Sequence, residues 1–244
     1  MNVLICNDDG IRSKRLIALA KELNKKYNVL VVAPSKNKSA CAHTLSVCKK
    51  IKLKKVNFIN GVLAYSLSGS PADCVKFASH YFSDFKIDLV VSGVNNGHNL
   101  GTDILYSGTL SAAIEGSFFG YKSIALSCVS HDENDVDFWT ERSVEIIEKL
   151  IPLSENGRVW NVNFPDVKPN DLKGTEFVAL GQLLYNDYYK KVGINKYVLE
   201  GTPIDKIDNI ERCDVEFSRK GYITITPILF DKTDYNKLKE CEKL

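Results

Sequence analysis

Short apolar runs alternate with stretches of helical periodicity through the first two thirds of the chain. Val3 to Cys6 reads as a buried strand, and Ile11 to Tyr27 carries Leu16, Ile17, Leu19, Ala20 and Leu23 on one helical stripe. Val29 to Ala33 follows as a second strand and stops at Pro34. That order makes a β-α-β unit, as parallel strands joined by crossover helices require. Residues 35–46 are polar and loop-like, while residues 47–67 alternate around Ile51, Leu53 and Val56 and fit a hairpin.

Pro71, behind Ser70, suits the first turn of a helix that continues from Ala72 to Phe82. Ile87 to Val91 is a β-rich run ending in Ser92-Gly93, and a long Gly- and Asn-rich loop then leads to a helix over Thr109 to Phe119. Ser123 to Cys128, Val136 to Ile151 and Val159 to Asn163 continue as strand, helix and strand up to Phe164-Pro165. Beyond Pro165 the pattern weakens: Asp171 to Glu200 is rich in Tyr, Lys and Asn and keeps no clean period. Tyr222 to Ile228 alternates as a strand, and Asp234 to Leu244 fits a charged terminal helix. The expected fold is α/β, a Rossmann-like, mostly parallel sheet flanked by helices. Residues 1–165 form its core and residues 166–244 a C-terminal appendage.

At 244 residues the chain can bury one substantial core. Its 44% hydrophobic and 25% charged residues place it among globular rather than disordered chains. With 32 basic and 30 acidic residues the net charge is only +2, too weak a field to expect a nucleic-acid polymer or a membrane as partner. An anionic ligand must therefore be captured locally. The seven cysteines are odd in number and form no C-x-x-C pair, so neither a disulfide framework nor a zinc site is signalled. The run from Met1 to Cys6 is too short, and too soon followed by acidic residues, for a signal peptide, and a cytoplasmic location is expected.

In an open parallel sheet, ligands bind beyond the carboxyl ends of the strands, so the residues just after each apolar run carry the chemistry. Asn7-Asp8-Asp9-Gly10 stands after the first strand. Adjacent side chains on a strand point to opposite faces, so two carboxylates converge only where the strand gives way to a turn, which Gly10 permits. At about 4 Å such a pair repels by roughly 1 kcal/mol in water and more in protein, which invites a hard cation such as Mg²⁺ or Mn²⁺. The dipeptide alone fits equally well a helix cap at Asp8 beside a solvated Asp9.

Three further strand ends draw notice. Ser92 to Asp103 holds three glycines with Asn95, Asn96 and Asn99, a loop able to approach a ligand and offer amide donors and acceptors; His98 reads as a bystander. Ser107-Gly108-Thr109 opens a helix, where free N–H groups and the helix dipole favour phosphate, and where simple N-capping is equally at home. Ser35-Lys36-Asn37-Lys38-Ser39 by itself reads as a solvated loop. No G-x-x-x-x-G-K-[ST], strand-following G-x-G-x-x-G or G-x-S-x-G motif occurs, which argues against a P-loop, a dinucleotide fold and a serine hydrolase.

The chain resembles the SurE family of nucleotidases. The resemblance rests on Asn7 to Ile11, Ala33-Pro34 with Asn37-Lys38-Ser39 and Thr44-Leu45, Gly69 to Val75, and above all Ser92 to Gly116. Asn161 to Pro165 and Gly221 to Pro227 extend it over most of the chain. The resemblance implies a divalent-metal phosphatase acting on nucleoside 5′- and 3′-monophosphates, and in some members on short polyphosphate. It also implies a homodimer or homotetramer assembled through the C-terminal half. It maps one Mg²⁺ or Mn²⁺ ion per subunit to Asp8, Asp9, Ser39 and Asn95, and the phosphate to Asn96, Ser107, Gly108 and Thr109. Asp8 would orient or deprotonate the attacking water, and Asn96 would stabilise the developing charge.

The sequence departs from the family's usual pattern at Arg15 and Ala40, where glycine is common, at Ser70 for threonine, and at Cys213 and Phe217, where threonine and alanine are usual. Two rival readings remain. A haloacid-dehalogenase-type aspartyl-phosphate phosphatase needs D-x-D, whereas Asp8 and Asp9 are adjacent. A Mg²⁺-binding receiver domain needs an acceptor Asp after a later strand, where this chain has Ser92-Gly93.

Overall fold

The computed structural model describes residues 1–129, 132, 135–204 and 210–242. Eleven strands occur among them: β1 (Asn2–Cys6), β2 (Asn28–Pro34), β3 (Leu53–Lys55), β4 (Leu63–Leu67), β5 (Leu89–Asn96), β6 (Lys122–Cys128), β7 (Arg158–Phe164), β8 (Gly174–Phe177), β9 (Tyr185–Gly193), β10 (Lys196–Pro203) and β11 (Tyr222–Leu229). The helices are α1 (Lys14–Leu23), α2 (Pro71–Tyr81), α3 (Gly108–Phe118), α4 (Val136–Leu150), α5 (Asp214–Arg219) and α6 (Tyr235–Cys241). Nine strands form one sheet in the order β3-β4-β2-β1-β5-β6-β7-β11-β8. The six from β4 to β7 run parallel, β3 pairs antiparallel to β4, and β11 pairs antiparallel to β7 and parallel to β8. The fold is the expected helix-flanked, mostly parallel α/β sheet.

Both faces of the sheet are covered, which explains why its strands read as continuous apolar runs. Side chains alternate across it: Val3 and Ile5 pack with Leu16, Leu19 and Leu23 of α1 and Trp139 and Ile147 of α4. Leu4 and Cys6 face the other way, with Cys74, Val75 and Ala78 of α2 and Ala112 of α3.

The chain leaves β1 toward β2 on one side of the sheet and β5 toward β6 on the other, so the strand order reverses between β1 and β5. Crevices open at such a switch point, beyond the carboxyl ends of the two strands. Asn7-Asp8-Asp9 leaves β1 there, and Asn95-Asn96 ends β5 there.

Three elements differ from the sequence reading. The strand expected to stop at Val91 runs on to Asn96, with a slip in its pairing to β6 between Ser92 and Asn95. Such a slip re-aims the side chains that follow, a job strand ends near sites often perform. Helix α1 starts at Lys14 rather than Ile11, because Ser13 takes the N-cap position and accepts from the Leu16 N–H. Past residue 165, where the sequence pattern weakens, the sheet continues, with β11 paired along β7 and β8 along β11. Among the described strands only the β9–β10 hairpin stands outside it, as a separate two-stranded ribbon. The hairpin expected within residues 47–67 is the β3–β4 pair.

Candidate active site

The turn after β1 is tied from inside. Asn7, fully buried, donates from Nδ2 to the Gly10 carbonyl at 3.1 Å and accepts the Gly10 N–H on Oδ1 at 3.1 Å. Gly10 itself has φ +101°, which side-chain-bearing residues rarely adopt, and the Pro34 and Lys36 backbone lies 3.2 Å from where a Cβ would stand.

Asp8, 3% exposed, is not a helix cap. Its Oδ1 accepts a hydrogen bond of 2.8 Å from the hydroxyl of fully buried Thr109, in the first turn of α3. A Cβ on Gly108 would sit 2.9 Å from the Asp8 Cβ and 3.1 Å from its Oδ2, so only glycine lets the start of α3 approach this closely. Ser107 caps that helix, its Oγ accepting the Leu110 N–H at 3.0 Å. The Thr109 N–H is turned toward Asp8 as well, and it too favours the ionised carboxylate.

Asp9 meets the end of β5, accepting the Asn96 N–H on Oδ2 at 3.2 Å. Burial pushes both carboxyls above their usual range. For Asp8 the Thr109 hydroxyl opposes the shift while the neighbouring Asp9 adds to it; for Asp9 the Asn96 N–H and the Arg15 charge oppose it. A pair of adjacent acidic groups whose ionisation is opposed by burial is a place where a cation would lower the free energy. Among the described residues no three His, Cys, Asp or Glu side chains converge on a metal position, so any ion here needs neutral oxygens as well. Asn95, buried, holds its amide by donating to the Gly97 carbonyl at 3.0 Å. Ser39 is exposed and bonds neither carboxylate directly among the described residues. It is drawn in by its neighbour, since the Lys38 N–H donates to the Asp8 carbonyl at 2.7 Å.

The two polar loops are anchored at a distance. Asp73 accepts from the Ser46 N–H (2.9 Å), the Ser46 hydroxyl (2.7 Å) and the Ser70 N–H (2.8 Å), joining the 35–46 loop to the start of α2. Burial pushes the Asp73 carboxyl up, but those hydrogen bonds outweigh it and hold it below the usual range. Glu115, on α3, takes His43 at 2.8 Å and Lys76 at 2.7 Å. The loop after β5 hangs on Asn99, whose carbonyl accepts from Asn161 (2.9 Å) and Asn163 (3.0 Å). That gives the Asn161-Val162-Asn163 run its purpose. His98, read from sequence as a bystander, lies against the Phe164 carbonyl at 2.9 Å, and burial lowers its pKa.

A sequence model of the family described as Survival protein SurE matches residues 3–187. The chain belongs to the SurE family. Among its relatives, the 5′-nucleotidase SurE of Caldanaerobacter subterraneus subsp. tengcongensis is 40% identical, over 98% of this chain and 95% of that protein. The one from Clostridium beijerinckii is 40% identical, over 100% and 99%. Of solved structures, the SurE protein from Aquifex aeolicus superposes with a TM-score of 0.83 at 30% identity, covering 100% of this chain and 99% of that one.

Against the SurE pattern, the departures acquire structural content. Ala40 holds φ +54°, the left-handed conformation that glycine adopts without strain. Ser70 keeps the threonine's work, capping α2 in a reciprocal box with Asp73. Cys213 gives α5 no side-chain cap and instead packs with Leu100 and Val215, while Phe217 lies against Tyr222 at 5.6 Å between centroids.

Two residues near the site were not singled out for it by sequence. Arg15, in the first turn of α1, donates to the Asn95 carbonyl at 3.1 Å and to the Cys128 carbonyl, bridging the ends of β5 and β6. Its place in the glycine-preferring position was the only signal available. Cys41 brings its Sγ to 3.2 Å from the Gly108 Cβ position, and burial, aided by the Asp8 charge, keeps its thiol protonated. Nothing in the sequence spacing announces that contact.

Proposed function

We propose that this chain is a metal-dependent 5′-nucleotidase, a phosphoric monoester hydrolase that also accepts nucleoside 3′-monophosphates and short polyphosphate. The observation that carries the reading is the seating of α3 on Asp8: a helix N-terminus lies one hydrogen bond, 2.8 Å, from a buried carboxylate. The relatives named 5′-nucleotidase support the choice of nucleotide.

Asp8 and Asp9, with Ser39 and Asn95 as neutral donors, make an oxygen-only set that suits one Mg²⁺ or Mn²⁺ ion. When bound, such an ion supplies Lewis-acid polarisation of the phosphoryl group and a lowered pKa for water. The chain's own residues do the rest. The N–H groups of the Ser107-Gly108-Thr109 turn receive the phosphoryl oxygens, and the Asn96 amide donates to the charge that builds on them during in-line displacement. Asp8 orients the attacking water and accepts its proton. The Thr109 hydroxyl fixes the carboxylate that performs this work.

Among the described residues no helix is long and apolar enough to cross a membrane. We place the protein in the cytoplasm, consistent with seven unpaired thiols, four of them buried. Residues 1–165 carry the catalysis in this reading, and residues 166–244 assemble a homodimer or homotetramer. Support for the assembly comes from the β9–β10 ribbon, which exposes Tyr188, Tyr189, Tyr197, Val198 and Leu199.

The test is phosphate release from a panel of nucleoside 5′- and 3′-monophosphates, short polyphosphate and an aryl phosphate, each with Mg²⁺, Mn²⁺ or chelator. Release should require metal and should disappear in Asp8→Asn and Asp9→Asn, with far-UV circular dichroism unchanged. Full activity in either variant would refute the assignment.

A further inference from the structure

Beside the α3 seat, a second open space begins at Asp9 and Asn96 and runs along the Gly10–Arg15 turn to Ser35 and Lys36. It measures about 650 Å³, enough for a nucleotide-sized ligand. It shares Asp9 and Asn96 with the proposed site while Ser107, Gly108 and Thr109 take no part in its lining, so it adjoins that site without including the α3 seat and gives a leaving group room.

Its charge does not suit a plain nucleoside. Arg12, Lys14, Arg15 and Lys36 line it against two carboxylates, Asp9 and Asp132, and Asp9 is already assigned to the cation. In a chain of net charge +2 this is a local concentration of positive charge, not the overspill of a basic protein. Arg12 and Lys36 are exposed and take no ion pair among the described residues. The ten-residue helix α1 begins here too, with its first-turn N–H groups adding to the same potential. The apolar lining is Ile11 and Val136, and no aromatic ring is present among the lining residues to stack on a base.

The parts are also held in place. The Lys36 backbone packs on Gly10 at 3.2 Å from the position of its absent Cβ, and the Arg15 guanidinium donates to two strand-end carbonyls.

We infer that this cleft is a second phosphate site, and that the preferred substrate class is a nucleoside carrying a second phosphate on the leaving side, such as a nucleoside 3′,5′-bisphosphate. The inference rests on the nucleotidase reading and narrows it. The nucleoside left by a monophosphate is neutral and gains nothing from Arg12 and Lys36; a leaving group that bears its own phosphate gains an electrostatic partner through binding and bond breaking alike.

The experiment compares kcat/KM for adenosine 3′,5′-bisphosphate and AMP in the intact protein with Mg²⁺ or Mn²⁺, for the wild type and for Arg12→Ala/Lys36→Ala. The wild type should favour the bisphosphate by about tenfold or more at low ionic strength, less as salt is added. The double variant should bring the ratio near unity while AMP turnover stays unchanged. Equal kcat/KM for the two substrates in the wild type, or a preference that survives the double substitution, would overturn the inference while leaving the nucleotidase reading intact. Failure to release phosphate from either substrate would instead sink the nucleotidase reading. For that case the cleft is read separately by calorimetric titration with adenosine 3′,5′-bisphosphate in chelator: heat that is lost in the double variant upholds the site, and no heat in the wild type removes it.

Discussion

Thr109 and Gly108 show how much a single residue decides at this site. The Thr109 hydroxyl is the side-chain donor that reaches Asp8, and it does so from a fully buried position. Thr109→Val keeps the shape and removes the donor, leaving a buried carboxylate short of a partner. The expected cost is about 1–3 kcal/mol in urea denaturation, with a fall in phosphate release. Thr109→Ser should restore most of both; a silent Thr109→Val would mean that the contact holds nothing. Gly108 contributes by what it lacks. A methyl there would meet the Asp8 Cβ at 2.9 Å, so Gly108→Ala must push Asp8 or the helix start outward. Activity should drop about tenfold to a hundredfold, because small displacements of reacting groups are costly, while the melting temperature barely moves. A large loss of stability with unchanged kcat would reverse that assignment.

At the scale of elements, the site is a meeting of loops that other elements hold. Asp73, at the start of α2, binds the 35–46 loop through both atoms of Ser46 and binds Ser70 in its own capping box. Its carboxyl is held below the usual range, so the folded state favours its ionised form. The stability it contributes is fully present above the unfolded pKa and is lost as pH falls through the depressed folded value. Asp73→Asn should therefore destabilise by about 1–3 kcal/mol near neutrality, and its gap from the wild type should close on acidification. Thermal melts taken between about pH 6 and pH 2 decide it, and a gap that stays constant would show that ionisation of Asp73 is irrelevant. Proteolytic nicking within residues 35–46 should also quicken in the variant.

For the whole molecule, the β9–β10 ribbon is the feature that the monomer leaves unexplained. An isolated two-stranded ribbon is marginal in water, yet this one carries Tyr189 opposite Leu199, both mostly exposed. Burial against another copy would give it the support that the main sheet does not. Leu199→Asp should lower the mass seen by light scattering toward that of a 27.3 kDa chain, by placing a charge where the proposed contact forms. An unchanged mass with a folded protein would remove the ribbon from the interface.

The alternation of apolar runs and helical stripes was enough to determine the α/β layering, because the central strands β1, β2, β5, β6 and β7 are buried almost throughout and the helices α1 and α4 along one stripe. Asn7-Asp8-Asp9, Asn95-Asn96 and Ser107-Gly108-Thr109 could be singled out from sequence because each follows a strand or opens a helix. Local pattern could not say whether Asp8 capped the next helix or turned to a distant part of the chain, since both uses ask for the same residue at the same place. That was decided by α3, folded back from a hundred residues away to put Thr109 on Asp8. Nor could periodicity find the continuation of the sheet past Pro165: β8 is four residues long, too short to show a period, and becomes a strand only because β11 lies alongside it. Arg15 is the same lesson in one side chain, a polar residue on a helix in the sequence and a brace across two strand ends in the fold. Sequence determined which groups stand at the strand ends. Only tertiary structure, through contacts between residues far apart in the chain, decided which of them face one another.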